Sequence, residues 1–182
     1  CPAKRRILKE ERKMNNMFEE LKIEDFQENI FTLLNNDWTL ITAGDDKQAN
    51  TMTASWGGMG ILWNKAVATI YVRPQRYTYQ FLEKQDTFSL TFFTPDKHEI
   101  LAYCGSHSGK DEDKIAKCGL TLQYDESTPY FNQARLVLIC KKLYWQDMDP
   151  NHFLSDDILK NYPKHDYHRM YIGEITKVLV KK

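Results

Sequence analysis

The stretch that decides the fold class is residues 136–145, LVLICKKLYW, a run rich in valine, isoleucine and aromatic residues. A second long run of this kind covers residues 171–180, and shorter runs cover residues 38–44, 66–72 and 88–93. β-branched and aromatic side chains favour extended strands. All five runs are therefore predicted to be β-strands.

Helices are predicted only in short pieces between these strands. One helix is predicted from Pro95, after the capping residue Thr94, to Gly105, and a second over residues 111–117, with a capping-box-like start at Ser108 and a stop at Gly119. Residues 15–36 predict a broken helical segment. Because strands outnumber helices and do not alternate regularly with them, the chain is predicted to be mainly β with peripheral α-helices, on a β-barrel core rather than a doubly wound α/β sheet.

Length and composition indicate one globular domain. The chain has 182 residues, of which 42% are hydrophobic and 27% charged, and one core of this size buries roughly 70% of the unfolded surface. The sequence contains no apolar run of the ~18 residues needed for a membrane span. Lysine plus arginine equals aspartate plus glutamate at 25 each, which argues against a nucleic-acid partner held by net charge.

Charge is concentrated at the N-terminus. Residues 1–13 hold six cationic and two acidic side chains. Such a run is usually a solvated arm and less often a contact with a membrane surface or nucleic acid. We therefore predict an N-terminal extension over residues 1–28, made of this basic arm and a short following segment, and a barrel domain over residues 29–182.

The cysteines indicate the compartment. Cys1, Cys104, Cys118 and Cys140 are irregularly spaced and include no C-x-x-C pair, so they fit neither a zinc site nor a disulfide framework. Free or buried thiols and a cytoplasmic location are predicted from this pattern. A lipid anchor on Cys1, as signal cleavage would leave, stays open as an alternative.

Three segments carry residue types that suit ligand binding. Residues 50–60, NTMTASWGGMG, set hydroxyls on alternate positions before three glycines, which lets a flat ligand approach the main chain. Residues 73–78, RPQRYT, set two arginines and a threonine at a predicted helix start, where a phosphate can bind. Residues 104–111, CGSHSGKD, are similar to an anion-binding nest.

Each of these segments also has an ordinary structural interpretation. The first can be a glycine-rich loop with Met52 and Trp56 packed into the core, the second a strand-to-helix corner with solvated arginines, and the third a capped surface helix. The sequence alone leaves these alternatives open.

Other catalytic and metal motifs are missing from the sequence. His165, Asp166 and His168 cluster downstream of His152, but without metal-ligand spacing, so no metal site is predicted. There is no G-x-S-x-G elbow of a serine hydrolase and no G-x-G-x-x-G fingerprint of a Rossmann dinucleotide site.

Taken in order, the three segments resemble the flavin reductase-like family of FMN-binding split barrels, in particular its flavoredoxin-like branch. Residues 168–175, HRMYIGEI, resemble the closing strand of that family. The resemblance covers roughly residues 30 to 180. It implies a six-stranded Greek-key split barrel, a homodimer, and one FMN per subunit near the dimer interface.

The resemblance also implies site residues, matched by position. The residues that would line the isoalloxazine ring through backbone and hydroxyl groups are Met52, Thr53, Ala54, Ser55 and Trp56. Those around the ribityl-phosphate tail would be Arg73, Pro74, Arg76, Tyr77 and Thr78. The anion pocket would be completed by Ser106, Ser108, Lys110 and Lys114. His168, the one catalytic candidate, would face the open side of the ring, although a histidine satisfied by Asp166 is an alternative for it.

The function that the resemblance implies is an FMN-dependent oxidoreductase. NADH or NADPH would be the transient electron donor, and a free flavin, a ferric complex, another small molecule or a protein would be the acceptor. A flavin supplies its own hydride-accepting atom, so no acid–base pair is required of the protein. Two alternatives are an FMN electron carrier reduced by a protein partner and a non-enzymatic module of the same fold.

Overall fold

The computed structural model describes residues 17–182, so the basic segment 1–13 and Cys1 lie outside the described residues. Strands dominate this part of the chain. They are β1 (Phe18–Leu21), β2 (Thr39–Gly44), β3 (Ala49–Ala54), β4 (Gly57–Leu62), β5 (Lys65–Val72), β6 (Thr87–Phe92), β7 (Leu122–Asp125), β8 (Thr128–Phe131), β9 (Leu136–Asp147) and β10 (Arg169–Lys181). β7 and β8 form a two-stranded sheet, and the other eight form the main sheet.

β9 and β10 lie at the centre of the main sheet. Its strand order is β3-β2-β6-β9-β10-β5-β4, with antiparallel neighbours. One edge of β10 pairs with β9, and the other is shared between β5, along residues 169–174, and β1, along residues 178–181. The sheet therefore has more than the six strands that the resemblance implied. β1 is one addition, because β10 extends beyond β5 and leaves an edge that β1 occupies.

The barrel is open between β3 and β4. These strands are the two ends of the strand path, and no ladder joins them within residues 17–182. The chain itself crosses the opening at Ser55 and Trp56, which follow β3 and precede β4. This arrangement confirms the prediction of a mainly β, barrel-like fold that is not doubly wound.

The interpretation of residues 50–60 as a glycine-rich loop is wrong. The segment forms β3 and β4, and the glycines belong to β4, which pairs with β5. A Cβ at Gly57 would meet the Thr69 carbonyl oxygen at 2.8 Å, so glycine is needed there for close pairing. Of the two side chains that this interpretation placed in the core, Met52 is buried, whereas Trp56 is 51% exposed.

The helical segments are short and peripheral. The α-helices span Ile30–Thr32, continued by a π-helical turn over Leu33–Asp37, and then Tyr77–Lys84, His98–Ser106, Lys114–Lys117 and Asp156–Leu159; 3₁₀ turns span Ile23–Asp25, Pro95–Lys97 and Pro150–His152. No helix among residues 17–182 has the length and apolar character that crossing a membrane requires.

Two helix predictions need correction. Residues 15–36 include β1, because pairing with the free edge of β10 decides the conformation of Phe18–Leu21. The helix predicted over residues 111–117 begins at Lys114, because the Asp113 side chain, and not that of Ser108, accepts the capping bond from the Ala116 N–H at 3.0 Å.

The main core lies against the central strands. Phe88 and Leu138 from β6 and β9 meet the fully buried Tyr171 of β10, and Leu82 brings the helix Tyr77–Lys84 onto the same cluster. Burying a leucine or phenylalanine contributes about 1.5–3 kcal/mol. This packing fixes the start of the helix, where the arginine-rich segment lies. Cys104, Cys118 and Cys140 are free thiols, as predicted.

An apolar surface remains exposed near the β4–β5 turn. Ile61 and Trp63 are exposed there, as are Tyr144 and Trp145 of β9, and the rings of Trp63 and Tyr144 lie 6.3 Å apart. The homodimer stays a prediction from the sequence, and this surface is the candidate for its interface.

Gly173 of β10 packs closely against Phe88 and Cys140, and we expect Gly173→Ala to destabilise the protein. An added Cβ would meet the Phe88 ring at 2.8 Å and the Cys140 Cβ at 3.1 Å, and the Phe88 ring has no room to move. The free energy of unfolding should fall by about 1–3 kcal/mol, the usual cost of overpacking. Urea unfolding at fixed protein concentration measures it.

The matched control is Gly60→Ala, in β4, where an added Cβ meets nothing within 4 Å. Its free energy of unfolding should stay within about 0.5 kcal/mol of the wild-type value. Equal stabilities for the two variants would contradict the packing described for Gly173.

Candidate functional site

A cavity of about 200 Å³, here called the ring cavity, lies at the opening of the barrel. It lies where β3 crosses to β4 and where β5 ends and β10 begins. The residues that line it are Met52, Thr53, Ala54, Ser55, Trp56, Tyr71, Arg73, Arg76 and His168. The structure thus brings together all five residues predicted for the first segment with the candidate catalytic histidine.

The crossing explains why a binding surface forms here. Ala54 pairs with Thr39 at one end of the strand path, whereas Gly57 pairs with Ile70 at the other end. Ser55 and Trp56 lie outside both ladders, so a ligand can approach their backbone groups. The half-exposed indole of Trp56 lies at 5.5 Å from the His168 ring, on the cavity wall.

A smaller pocket of about 130 Å³, here called the anion pocket, adjoins the ring cavity, and Arg76 lines both. Its other lining residues are Asn50, Gln75, Tyr77, Thr78, Gly105, Ser106, His107, Ser108 and Lys114. The second and third predicted segments therefore meet in space, although about thirty residues separate them along the chain.

Two cationic side chains dominate the anion pocket, the half-buried Arg76 and the buried Lys114. The Arg76 Nη1 group donates to the Gly105 carbonyl at 3.1 Å, but Nη2 is buried and makes no hydrogen bond within residues 17–182. Lys114 is 2% exposed, and its Nζ donates to the carbonyl groups of Cys104 and His107 at 2.8 and 2.9 Å. Neither side chain forms a salt bridge with a carboxylate in the described part of the chain.

Burial changes the pKa values of both groups. It lowers the pKa of Lys114 to about 8, with the neighbouring Arg76 acting in the same direction and the Glu112 carboxylate opposing it. Burial, with a contribution from Arg73, also lowers the pKa of Arg76. Removing a cation from water is costly without a compensating partner, so the charge and the donors of this pocket are complementary to an anion.

The local sequence holds these groups in place. Arg73 to Arg76 form a turn closed by the Arg76 N–H donating to the Arg73 carbonyl at 3.1 Å, and the exposed Pro74 presets its backbone. Thr78, in the first helical turn, accepts a bond from Asn50 Nδ2 at 2.8 Å. A Cβ at Gly109 would lie 2.0 Å from Asn50 Oδ1, so the loop can pack against β3 only with glycine there.

Arg73 lies in the ring cavity and not in the anion pocket. Its Nη1 donates to Asp166 at 2.8 Å and its Nη2 to the Asn161 carbonyl at 2.9 Å. The guanidinium also lies 5.0 Å from the centre of the Tyr162 ring. Arg73 therefore ties the segment before β10 to the cavity wall, and Asp166 already balances its charge.

His168 is 7% exposed, and its Nδ1 is hydrogen-bonded to the Tyr162 hydroxyl at 2.7 Å. The alternative partner considered from the sequence, Asp166, instead bonds to Arg73 and Gln75. Burial lowers the pKa of His168 to about 4, and the positive charge of Arg73 acts in the same direction. The imidazole is therefore a neutral group at physiological pH.

Some predicted site residues lie elsewhere or use their polar groups differently. The Thr53 hydroxyl donates its proton to the Leu101 carbonyl at 2.5 Å, so it holds a helix, while the residue still lines the ring cavity. The Lys110 side chain is exposed and lines neither the ring cavity nor the anion pocket. Pro74 lines neither of them, and Ser108 accepts a bond from the Lys110 N–H at 3.2 Å.

Sequence reasoning missed Tyr71, Asn50 and Tyr162 as site residues. Asn50 lies inside the segment 50–60 and Tyr71 inside the predicted strand 66–72, where strand alternation could have placed Tyr71 on the face of Arg73. Nothing in the sequence indicates Tyr162, because it reaches His168 through an irregular segment. No group of three or more histidine, cysteine or acidic side chains among residues 17–182 is arranged to hold a metal ion.

Comparisons with known proteins identify relatives of this chain. The family described as flavin reductase like domain matches residues 32–182. No curated protein matches. Among solved structures, an FMN-binding domain of a flavin reductases-like enzyme from Shewanella baltica has 20% sequence identity and a TM-score of 0.63, over 90% of this chain and 76% of that chain.

Two further structures are similar. A flavoredoxin from Methanosarcina acetivorans has 21% identity and a TM-score of 0.61, over 85% of this chain and 74% of that one. An NADH:FAD oxidoreductase from Streptomyces globisporus, in complex with NAD and FAD fragments, has 16% identity and a TM-score of 0.60, over 80% of this chain and 77% of that one. At these identities the likeness shows a common fold, which confirms the split barrel.

The buried state of His168 generates a prediction about pH. Its pKa in the folded protein, about 4, lies below the ordinary value of 6.5, so the unfolded chain binds this proton first as pH falls. The histidine therefore removes stability as pH decreases from 6.5 towards 4. His168→Gln should lose less stability over that interval than wild type does, as measured by urea unfolding.

A direct readout is the NMR titration of the imidazole, assigned by its absence in His168→Gln. We expect the ring to stay neutral at pH 5.5. A midpoint near 6.5, or identical pH dependence of stability in the two proteins, would contradict the buried neutral state.

Proposed function

Since this chain belongs to the flavin reductase like family, we propose that it binds FMN and passes electrons from a reduced nicotinamide to a flavin, a ferric complex or another acceptor. When bound, the flavin supplies the hydride-accepting atom, and the share of the protein is to bind, orient and tune it. The chain's own residues divide this work between the ring cavity and the anion pocket.

The observation that carries the proposal is the unbalanced positive charge of the anion pocket. Within the described residues 17–182, the buried Nη2 group of Arg76 has no hydrogen-bond partner, and Lys114 uses two of its three donors on carbonyl groups. A phosphate monoester, with its charge and its acceptor oxygens, satisfies both. The start of the helix at Tyr77 and Thr78 adds free N–H groups on the same wall.

The ring cavity suits a flat amphipathic group. Met52 and Tyr71 supply apolar surface, the backbone at Ser55 and Trp56 supplies polar groups, and Arg76 links the cavity to the anion pocket. A ring joined by a short chain to a phosphate requires this order of apolar slot and cationic clamp. His168 adds a neutral polar group to the wall of the ring cavity.

The closest alternative function is an electron carrier that binds FMN but is reduced by a protein partner. Because Trp56 on the wall of the ring cavity is half-exposed, a protein partner can contact the mouth of the cavity as well as a nicotinamide can. The two functions differ in one respect, which is whether a reduced nicotinamide alone transfers electrons to the loaded protein.

The cationic clamp formed by Arg76 and Lys114 generates a prediction about ligand affinity. Wild-type protein should bind FMN more tightly than riboflavin, and Arg76→Ala should weaken FMN binding by about 10- to 100-fold, since a charge-assisted hydrogen bond contributes about 1.5–3 kcal/mol. Riboflavin affinity should hardly change. Titration calorimetry measures both, with FAD as a third ligand, because a cavity of about 330 Å³ adjoins the anion pocket.

The control is Lys84→Ala, which removes an exposed cation from the far end of the same helix. Its FMN affinity should stay within about twofold of wild type, because a screened surface charge contributes little. Equal wild-type affinities for FMN and riboflavin would contradict the clamp.

The second prediction tests the reaction. Anaerobic addition of NADH or NADPH to the FMN-loaded protein should abolish its visible flavin absorbance. His168→Ala should retain FMN but be reduced or reoxidised more slowly, whereas Arg76→Ala at saturating FMN should turn over nearly as wild type does, because phosphate contacts are the same in ground and transition states. Stopped-flow absorbance measures both.

If dithionite reduces the loaded protein and neither nicotinamide does, the carrier function replaces the reductase. If the loaded Arg76→Ala protein is slow while His168→Ala is normal, the roles given to the two ends of the site are reversed.

A further inference from the structure

The segment between β9 and β10 places a second aromatic residue behind His168. Tyr162 is 6% exposed, and its hydroxyl lies 2.7 Å from His168 Nδ1, with the two rings edge to face at 5.4 Å. His168 lines the ring cavity, and Tyr162 does not. The hydroxyl therefore contacts the imidazole from outside the cavity.

Tyr162 is held firmly by its surroundings. The Arg73 guanidinium lies 5.0 Å from the centre of its ring, and the rings of Phe153 and Tyr167 lie at 5.7 and 5.0 Å. Arg73 also binds the Asn161 carbonyl, the backbone group just before Tyr162. These contacts fix the position of the ring independently of its hydroxyl.

The hydrogen bond decides which nitrogen of His168 carries the proton. Within residues 17–182 the only other acceptor near the Tyr162 hydroxyl is Met148 Sδ, at 3.6 Å, and a thioether is a weak acceptor. A phenol is a better donor than a neutral imidazole N–H, and an imidazole nitrogen is a better acceptor than a phenol oxygen. The favoured arrangement has the Tyr162 O–H donating to Nδ1, which leaves the proton on Nε2.

We propose that Tyr162 is a positioning residue that holds His168 in the Nε2–H tautomer, so that the cavity wall presents a neutral hydrogen-bond donor to an acceptor atom of the ring ligand or of the second substrate. The role of this donor in electron transfer rests on the proposed function, whereas the tautomer itself does not. The neutral partner matters, because a carboxylate in the place of Tyr162 would favour the imidazolium.

The sequence suggested Asp166 as the partner of His168, and the contacts explain why Tyr162 takes that place. Asp166 Oδ2 accepts from Arg73 at 2.8 Å and also from Gln75. The Asp166 carboxylate thus balances the charge of Arg73. Because Asp166 bonds to Arg73 and not to His168, the imidazole remains neutral.

The first test is nitrogen-15 NMR of His168 in the wild-type protein with FMN added at pH 7, assigned with His168→Gln. Nitrogen chemical shifts and proton couplings distinguish the two tautomers. We expect Nε2 to be protonated and Nδ1 to be the acceptor. Protonated Nδ1 overturns the proposal, whatever the activity of the protein.

The second test compares Tyr162→Phe with Tyr167→Phe. The first removes the hydroxyl bonded to His168 and keeps the ring. The second removes a hydroxyl from the neighbouring ring, which bonds to His165 and not to His168. Tyr162→Phe should give a mixture of tautomers and Tyr167→Phe the wild-type spectrum.

The FMN affinity of both variants should stay within about twofold of the wild-type value. Anaerobic reduction by the nicotinamide should slow about 3- to 10-fold in Tyr162→Phe only, because that is the effect of losing one hydrogen bond. A wild-type tautomer and rate in Tyr162→Phe overturn the positioning role. If nicotinamides reduce none of these proteins while the tautomer is as expected and changes in Tyr162→Phe, the proposed function fails and the positioning of His168 stands.

Discussion

The antiparallel pairing of β9 with β10 is the interaction on which the rest of the structure depends. The two strands pair from Arg169 opposite Asp147 to Val180 opposite Leu136, and they connect the half of the path that ends in β3 with the half that ends in β4. The consecutive strands β3 and β4 are thereby placed at opposite ends of one sheet. The chain must cross the opening between them, and the crossing at Ser55 and Trp56 is where the ring cavity lies.

Charge is balanced differently in the two parts of the site. Arg73 has Asp166 as a counter-charge and holds a structural segment, whereas the half-buried Arg76 and the buried Lys114 donate to carbonyl groups and form no salt bridge with a carboxylate among residues 17–182. Buried charge without compensation costs stability in the free protein. An anionic ligand that binds only the folded state offsets this cost by mass action. In the proposed function, the same feature lowers the stability of the empty pocket and favours a phosphate over a neutral group.

The sequence predicted the central strands accurately but missed the strands at the ends of the sheet. The central strands were predicted within one or two residues, because residues 136–145 and 171–180 are continuous runs of strand formers. β3 and β4 were not predicted, because their asparagine, alanine and glycine residues have low strand preference, and pairing with β2 and β5 overrides it. β1 was misinterpreted for the same reason, since the free edge of β10 decides its conformation.

The sequence by itself determined the fold class, the five main strands, the helix after Pro74 and the three segments that form the site. These follow from residue type and short-range spacing, which act locally. Only the tertiary structure decided that Arg73 faces Asp166 while Arg76 lacks a counter-charge, that Lys110 points to solvent, and that Tyr162 and not Asp166 bonds to His168. Each of these depends on which distant groups share a buried space, because the low polarity of that space decides which charges and hydrogen bonds must be satisfied.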